Sequence, residues 1–151
     1  MAWSQRLAEL GIELPPVIPP AAAYVPAVRS GAQVFVAGQL PIVDGKLLAT
    51  GKVGAEVSPE DAKNFARICG LNILAAVHDL LGVDSVVRVV RVGGFVAAAP
   101  GFTAVPIVIN GASELFGEVF GDAGQHARAA VGVAELPLGA PVEVDAVFEV
   151  V

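Results

Sequence analysis

The chain has 151 residues, 9 of them basic and 15 acidic, for a net charge of −6; hydrophobic residues make up 55% and charged ones 16%. That apolar content excludes disorder, and the length fits one domain over 1–151, within the usual range of about 100–200 residues. A single cysteine excludes a disulfide framework and a cysteine-only zinc site, and nine basic residues without interleaved aromatics argue against nucleic-acid binding on charge alone.

Trp3 to Leu10 reads as a short helix, with Trp3, Leu7 and Leu10 on one face and Gly11 as the stop. Leu14 to Pro20 is proline-rich, cannot join a sheet centre, and is expected to lie as an extended arm on the surface. Residues 1–20 are thus an N-terminal helix and arm before the main fold. Val25 to Val28 and Gln33 to Ala37 are strand candidates joined by a turn at Ser30-Gly31. Asp44-Gly45 marks a second hairpin, with Leu47 to Thr50 beyond it.

The clearest helix starts after Ser58, an N-cap followed by Pro59, Glu60 and Asp61, which all suit a helix start. Phe65, Ile68, Cys69, Asn72, Ile73, Ala76, Val77 and Leu80 recur at helical spacing until Gly82 ends it. Val86 to Ala99 reads as a strand, bulged at Gly93-Gly94. A second helix is expected from Val105 to Phe120, where Gly111 and Gly117 are tolerated if the packing is tight. Ala127 to Leu136 is a strand, Pro137-Leu138-Gly139 a turn, and Pro141 to Val151 a last strand with both faces largely covered. The order, hairpin, helix, strand, helix, two strands, makes an α+β sandwich: a mixed sheet with two main helices on one face.

The uncharged stretch Val92 to Ser113 is long enough to span a bilayer, but Gly93, Gly94, Pro100, Gly101, Pro106 and Gly111 break it. It is expected to be a strand, a turn and the start of a helix, all buried, with no membrane role. The N-terminal MAWSQRLAEL has charges where a signal peptide needs an apolar run, so a cytoplasmic location is expected. The spare apolar surface then points to a homo-oligomer.

Among chemical motifs there is no P-loop, dinucleotide fingerprint, HExxH or nucleophile elbow. No metal site is expected from His78 and His126, which are too few; His78 reads as a partly exposed helical residue. Cys69, mid-helix among apolar residues, reads as a buried small hydrophobe. Arg128 stands out in A-R-A-A-V-G-V-A, with no other charge before Glu135. It is either an edge-strand arginine in water or paired with Glu143 or Asp145, or a guanidinium in a cleft that grips a substrate carboxylate through two hydrogen bonds.

F-V-A-G-Q-L-P at Phe35 to Pro41, and the run from Ala127 through the LP turn to V-E-V-D-A ending at Ala146, resemble the RidA family, the reactive intermediate deaminases also called YjgF. The resemblance covers Tyr24 to Val150. It implies a chorismate-mutase-like α+β fold, a homotrimer with clefts between subunits, and cofactor-independent hydrolysis of enamines and imines such as 2-aminoacrylate to 2-keto acids and ammonia. By the same resemblance Arg128 binds the substrate carboxylate and Glu143 positions or activates water, the two being the catalytic residues. Tyr24, Ala37, Gly38, Asn110 and Ala130 match substrate-binding positions, and the partner is a small carboxylate-bearing imine or keto acid.

Ala37 stands where the family carries serine, and Ala130 where it carries a small polar or thiol residue. The arm at Leu14 to Pro20 and the longer segment Pro100 to Asn110 also depart from the deaminase subgroup, and a cleft without those hydroxyls suits a larger or less polar acid. Glu143 and Arg128, taken as neighbours on adjacent strands, have a structural alternative in a plain ion pair. Two other functions stay open: a non-catalytic trimer that binds carboxylate metabolites, and a ribonuclease or translation inhibitor, which the lack of a basic patch opposes.

Overall fold

The structure, a computed structural model, describes residues 2–20 and 22–151. Its long helix α2, Pro59–Leu81, begins where the sequence demands. The Ser58 hydroxyl accepts the Asp61 N–H at 3.1 Å, Pro59 takes the first turn, and Gly82 ends the helix at φ 80°. Helix α3, Val105–Phe120, packs beside α2, and a Cβ on Gly111 would run into the Lys63 carbonyl oxygen, so this glycine sets the close approach. Gly117 faces open space, and nothing in the packing explains it.

Both helices cover one face of a five-stranded sheet. Its strands are β1 Ala27–Ser30, β2 Gln33–Gln39, β5 Val86–Ala97, β6 Ala127–Val133 and β7 Val142–Val150, in the order β1-β2-β7-β5-β6. All neighbours are antiparallel except β5 and β6, which α3 connects as a parallel pair. The strands β3 Ile42–Val43 and β4 Lys46–Leu47 form a separate hairpin on Asp44-Gly45. The core runs along the helix face: Val142, Val144, Ala146, Phe148 and Val150 are buried, with Phe116 and Phe120 edge-on to Phe148.

Several expectations shift. The first strand starts at Ala27 rather than Val25, because Pro26 precedes it, and the turn falls after Ser30. β5 stops at Ala97 and β6 at Val133, so the strands are shorter than their apolar runs. Gly93 and Gly94 pair in register; the irregularities of β5 lie at Val86/Arg88 and Val89/Arg91. The two glycines serve close approach instead, with Asp145 over Gly93 and Ile109 over Gly94. The last strand is covered on one face only: Glu143, Asp145, Val147 and Glu149 are partly exposed on the other. Within Val92 to Ser113, residues Pro100, Gly101, Thr103, Pro106 and Ile107 are exposed, so that stretch is not buried throughout.

The face of the sheet away from the helices carries Val28, Phe35 and Val131, each about half exposed. This is apolar surface of the kind the composition demands. At the N-terminus α1, Trp3–Glu9, docks through Trp3, whose indole N–H donates to the Val86 carbonyl at 2.7 Å. The proline arm follows without regular structure, with Leu14 and Val17 packed on the core. No helix among the described residues is long and apolar enough to cross a membrane.

Candidate functional site

Arg128 lies on β6, opposite Val92, and its side chain turns to the helix face. One guanidinium nitrogen, Nη1, donates to Asn110 Oδ1 at 2.8 Å and to Ser113 Oγ at 3.1 Å; Nη2 donates to the Pro106 carbonyl at 3.2 Å. A guanidinium has five N–H donors, so Nε–H and one Nη2–H have no partner among the described residues. No carboxylate lies within ion-pair distance of it among those residues either: Asp145 is paired with Arg91 instead, at 3.9 Å. The structural pairing of Arg128 with Glu143 or Asp145 is therefore absent.

Behind Arg128 stands a second polar layer that sequence reasoning missed. Ser113 Oγ and His126 Nε2 are 2.9 Å apart, and His126 Nδ1 is 2.6 Å from the Gly124 carbonyl. A carbonyl oxygen only accepts, so Nδ1 carries the proton and Nε2 of the neutral ring accepts from the Ser113 hydroxyl. The serine oxygen is thus left with its lone pairs toward Arg128. The pattern could have shown this. Ser113 follows Asn110 by one helical turn, and His126 precedes Arg128 by two, the spacing of one strand face. Ala130 lies two residues on, on that same face, against the core.

The other predicted residues gather elsewhere. Ala37 and Gly38 form a bulge: Val36 pairs with Ala146 and Gln39 with Val144, leaving two residues against Asp145 alone. The bulge lies beside Glu143, and a Cβ on Gly38 would sit 2.7 Å from Glu143 Oε2. A larger residue there would push the Glu143 carboxylate aside. Burial holds the Glu143 carboxyl above its ordinary range, and the like charge of Asp145 adds to the shift. Burial also raises Asp145, against the opposing pull of Arg91 and the Gly93 N–H. Tyr24, about half exposed, shares with Gly38 a cavity of about 70 Å³.

Arg128 and Glu143 are not on adjacent strands. β5 separates them, and Arg128 lies opposite Val92 while Glu143 lies opposite Phe95, so two strand spacings and three residues along β5 put their backbones roughly 14 Å apart; their side chains leave opposite faces of the sheet. One copy of the chain thus brings together Arg128, Asn110 and Ala130 in one place, and Tyr24, Ala37, Gly38 and Glu143 in another. A cross-strand ion pair between Arg128 and Glu143 is ruled out by that register.

Elsewhere, His78 is exposed and caps the chain by accepting the Val83 N–H at Nδ1, 3.1 Å away. Cys69 is fully buried, and burial first, then the charge of Glu143, pushes its thiol up, away from the reactive thiolate. No group of three His, Cys, Asp or Glu among the described residues is arranged to hold a metal ion.

Residues 4–149 match the family described as "YjgF/chorismate_mutase-like, putative endoribonuclease". The chain is 47% identical over 146 residues to Protein TCP17 of Trypanosoma cruzi, covering 95% of this chain and 91% of that protein. The structure of Atu1372 from Agrobacterium tumefaciens, of unknown function, superposes with a TM-score of 0.90 at 46% identity, covering 99% of this chain and 92% of that one. A "putative endoribonuclease" from Shewanella oneidensis reaches a TM-score of 0.95 at 29% identity, over 99% of this chain and all (100%) of its own. Escherichia coli TdcF, solved with bound serine, has a TM-score of 0.61 at 25% identity, covering 89% and 91%.

Proposed function

This chain belongs to the YjgF/chorismate-mutase-like family and has that fold, and on that footing we propose that it hydrolyses enamine and imine intermediates of the 2-aminoacrylate type to 2-keto acids and ammonia. The clefts would form between copies, the Arg128 half from one and the Glu143 half from its neighbour, in a homotrimer. The observation that carries the reading is the Arg128 guanidinium itself. It is held by three neutral oxygens, meets no carboxylate among the described residues, and keeps two N–H donors free. Such a group fits an organic carboxylate. The serine bound to TdcF is a small carboxylate of that kind.

The chemistry asks little beyond placement. Arg128 anchors the carboxylate, leaving the imine carbon beside Glu143. The imine enters with its nitrogen protonated. As a carboxylate, Glu143 takes a proton from water while the oxygen attacks the imine carbon, and the C=N pair moves to nitrogen, giving a neutral carbinolamine. In the second half Glu143 passes that proton to the carbinolamine nitrogen, then takes the hydroxyl proton as C=O re-forms and the C–N pair leaves with ammonia, which takes up that proton and returns Glu143 to its carboxylate. A carboxyl whose proton affinity is raised by burial suits both halves.

The test is 2-keto acid release from a 2-imino acid made in situ by an amino-acid oxidase. The chain accelerates release, and Arg128→Ala removes the gain; no acceleration with several imino acids overturns the reading. Tight keto-acid binding without turnover would establish the carboxylate-binding trimer instead. RNA cleavage that survives purification and needs Arg128 would establish the endoribonuclease of the family's description.

A further inference from the structure

We propose that the proline-rich arm and the Leu138 turn form the side-chain subsite of this cleft, and that the subsite selects substrates with a branched alkyl side chain over the smallest ones. The inference rests on the deaminase reading for the reaction but not for the recognition.

The cavity beside Gly38 is walled by Ile18 and Pro19 of the arm, by Tyr24, by Ile42 and by Leu138. No charged residue lines it, and the amide nitrogen of Gln39, which also borders it, is turned back to donate to the Ala37 carbonyl at 3.3 Å. The wall therefore offers an incoming polar side chain little to replace its water. At the mouth stand two exposed apolar residues, Tyr24 and Leu138, the latter 68% exposed. Leu138 is also held at φ 62°, where a side chain other than glycine is disfavoured. Strain and exposure together on a leucine mark a position kept for contact.

Gly38 joins this cavity to the chemistry. It lines the cavity, and Glu143 Oε2, which does not itself line it, lies 2.7 Å from where a Cβ on Gly38 would be. A substrate with its imine carbon beside Glu143 thus has its side chain directed along Gly38 into the arm's wall. The volume of about 70 Å³ is near half of the ~150 Å³ that holds a benzene, so it suits an alkyl group of about three to four carbons. A second cavity of about 240 Å³ adjoins it, walled mainly by Pro15 to Pro19 and Ile42, with Asp44 and Asn72 at its polar side. Ile18, Pro19 and Ile42 line both, so Ile18 is part of the partition.

The experiment compares turnover of the imines derived from alanine, leucine and phenylalanine. Alongside, it measures binding of pyruvate against the keto acid of leucine by calorimetry. With about fourfold per buried methylene, the leucine-derived imine exceeds the alanine-derived one by roughly 50-fold. Ile18→Ala opens the partition and moves the preference toward the phenylalanine-derived imine. Ile18→Asp cuts the leucine preference at least tenfold, and so does Leu138→Asp, a change on an exposed turn that the fold tolerates. Equal use of the alanine-derived imine, or a ratio that no variant moves, overturns the subsite while leaving the deaminase intact. Preferential, Ile18-dependent binding of the larger keto acid with no turnover of any imine leaves the subsite standing and removes the deaminase. Neither binding nor turnover removes both.

Discussion

Arg128 and Glu143 meet opposite treatment. The guanidinium sits on the helix face of an edge strand, fixed by Asn110, Ser113 and the Pro106 carbonyl. The carboxylate sits on the other face, half-buried, with no hydrogen-bond partner among the described residues and with the Gly38 backbone close to it. One half is pre-organised and waits for an anion. The other is held short of solvation, which keeps its proton mobile. Under the proposed function, a neighbouring copy brings these two halves together.

Mixed assemblies separate the two residues most sharply. Arg128→Ala and Glu143→Gln each lose about 100-fold or more in kcat/KM, the scale of an anchoring charge or a general base. Co-refolded, the two recover activity that neither has alone, because some clefts then join an intact Arg128 to an intact Glu143; no recovery would place both residues of a cleft in one copy.

Gly38→Ala comes next. The new methyl pushes the Glu143 carboxylate off the bulge, and kcat falls about tenfold, on the scale of a displaced catalytic group. The melting temperature hardly moves, since the atom met is the end of a flexible side chain.

A smaller effect is expected at Ser113→Ala. It removes one bond to Arg128 and strands His126 Nε2, which costs about 1 kcal/mol of anchoring. KM rises roughly fivefold while kcat holds, whereas a purely structural defect would lower kcat through the folded fraction.

The smallest effect is a pH dependence of stability. Glu143 has its folded value raised, so its favourable contribution is present at acid pH and lost as pH rises through that value. Glu143→Gln accordingly raises the melting temperature slightly at neutral pH, the effect being damped by the partial exposure of the group, and the difference vanishes in acid. Kinetically the sign is the reverse: wild-type activity falls as pH drops through the same range, because the ionised form takes the proton from water.

The helices were legible because their signals are local. Ser58, Pro59 and Gly82 mark the bounds of α2 within the chain itself. The strand ends were less so, since Ala98, Ala99 and Ala134 continue an apolar run that hydrogen bonding does not follow. Arg128, Asn110, Tyr24, Gly38 and Glu143 could be picked out as candidates from residue type and resemblance. Their division into two groups could not, because it depends on β5 entering between β6 and β7. Ser113 and His126 carried a periodic signal, but one that has meaning only once Arg128 is known to face α3.

By itself the sequence determined which segments are helix or strand, that the chain carries spare apolar surface, and which side chains are chemically able to act. Those properties follow from periodicity, capping and composition, all set by neighbours along the chain. The tertiary structure alone decided that Arg128 and Glu143 leave opposite faces, that the bulge at Gly38 meets Glu143, and that the proline arm walls a cavity beside them. Strand order and register fix those relations, and both arise from contacts between residues far apart in sequence, where local pattern carries no record of the partner.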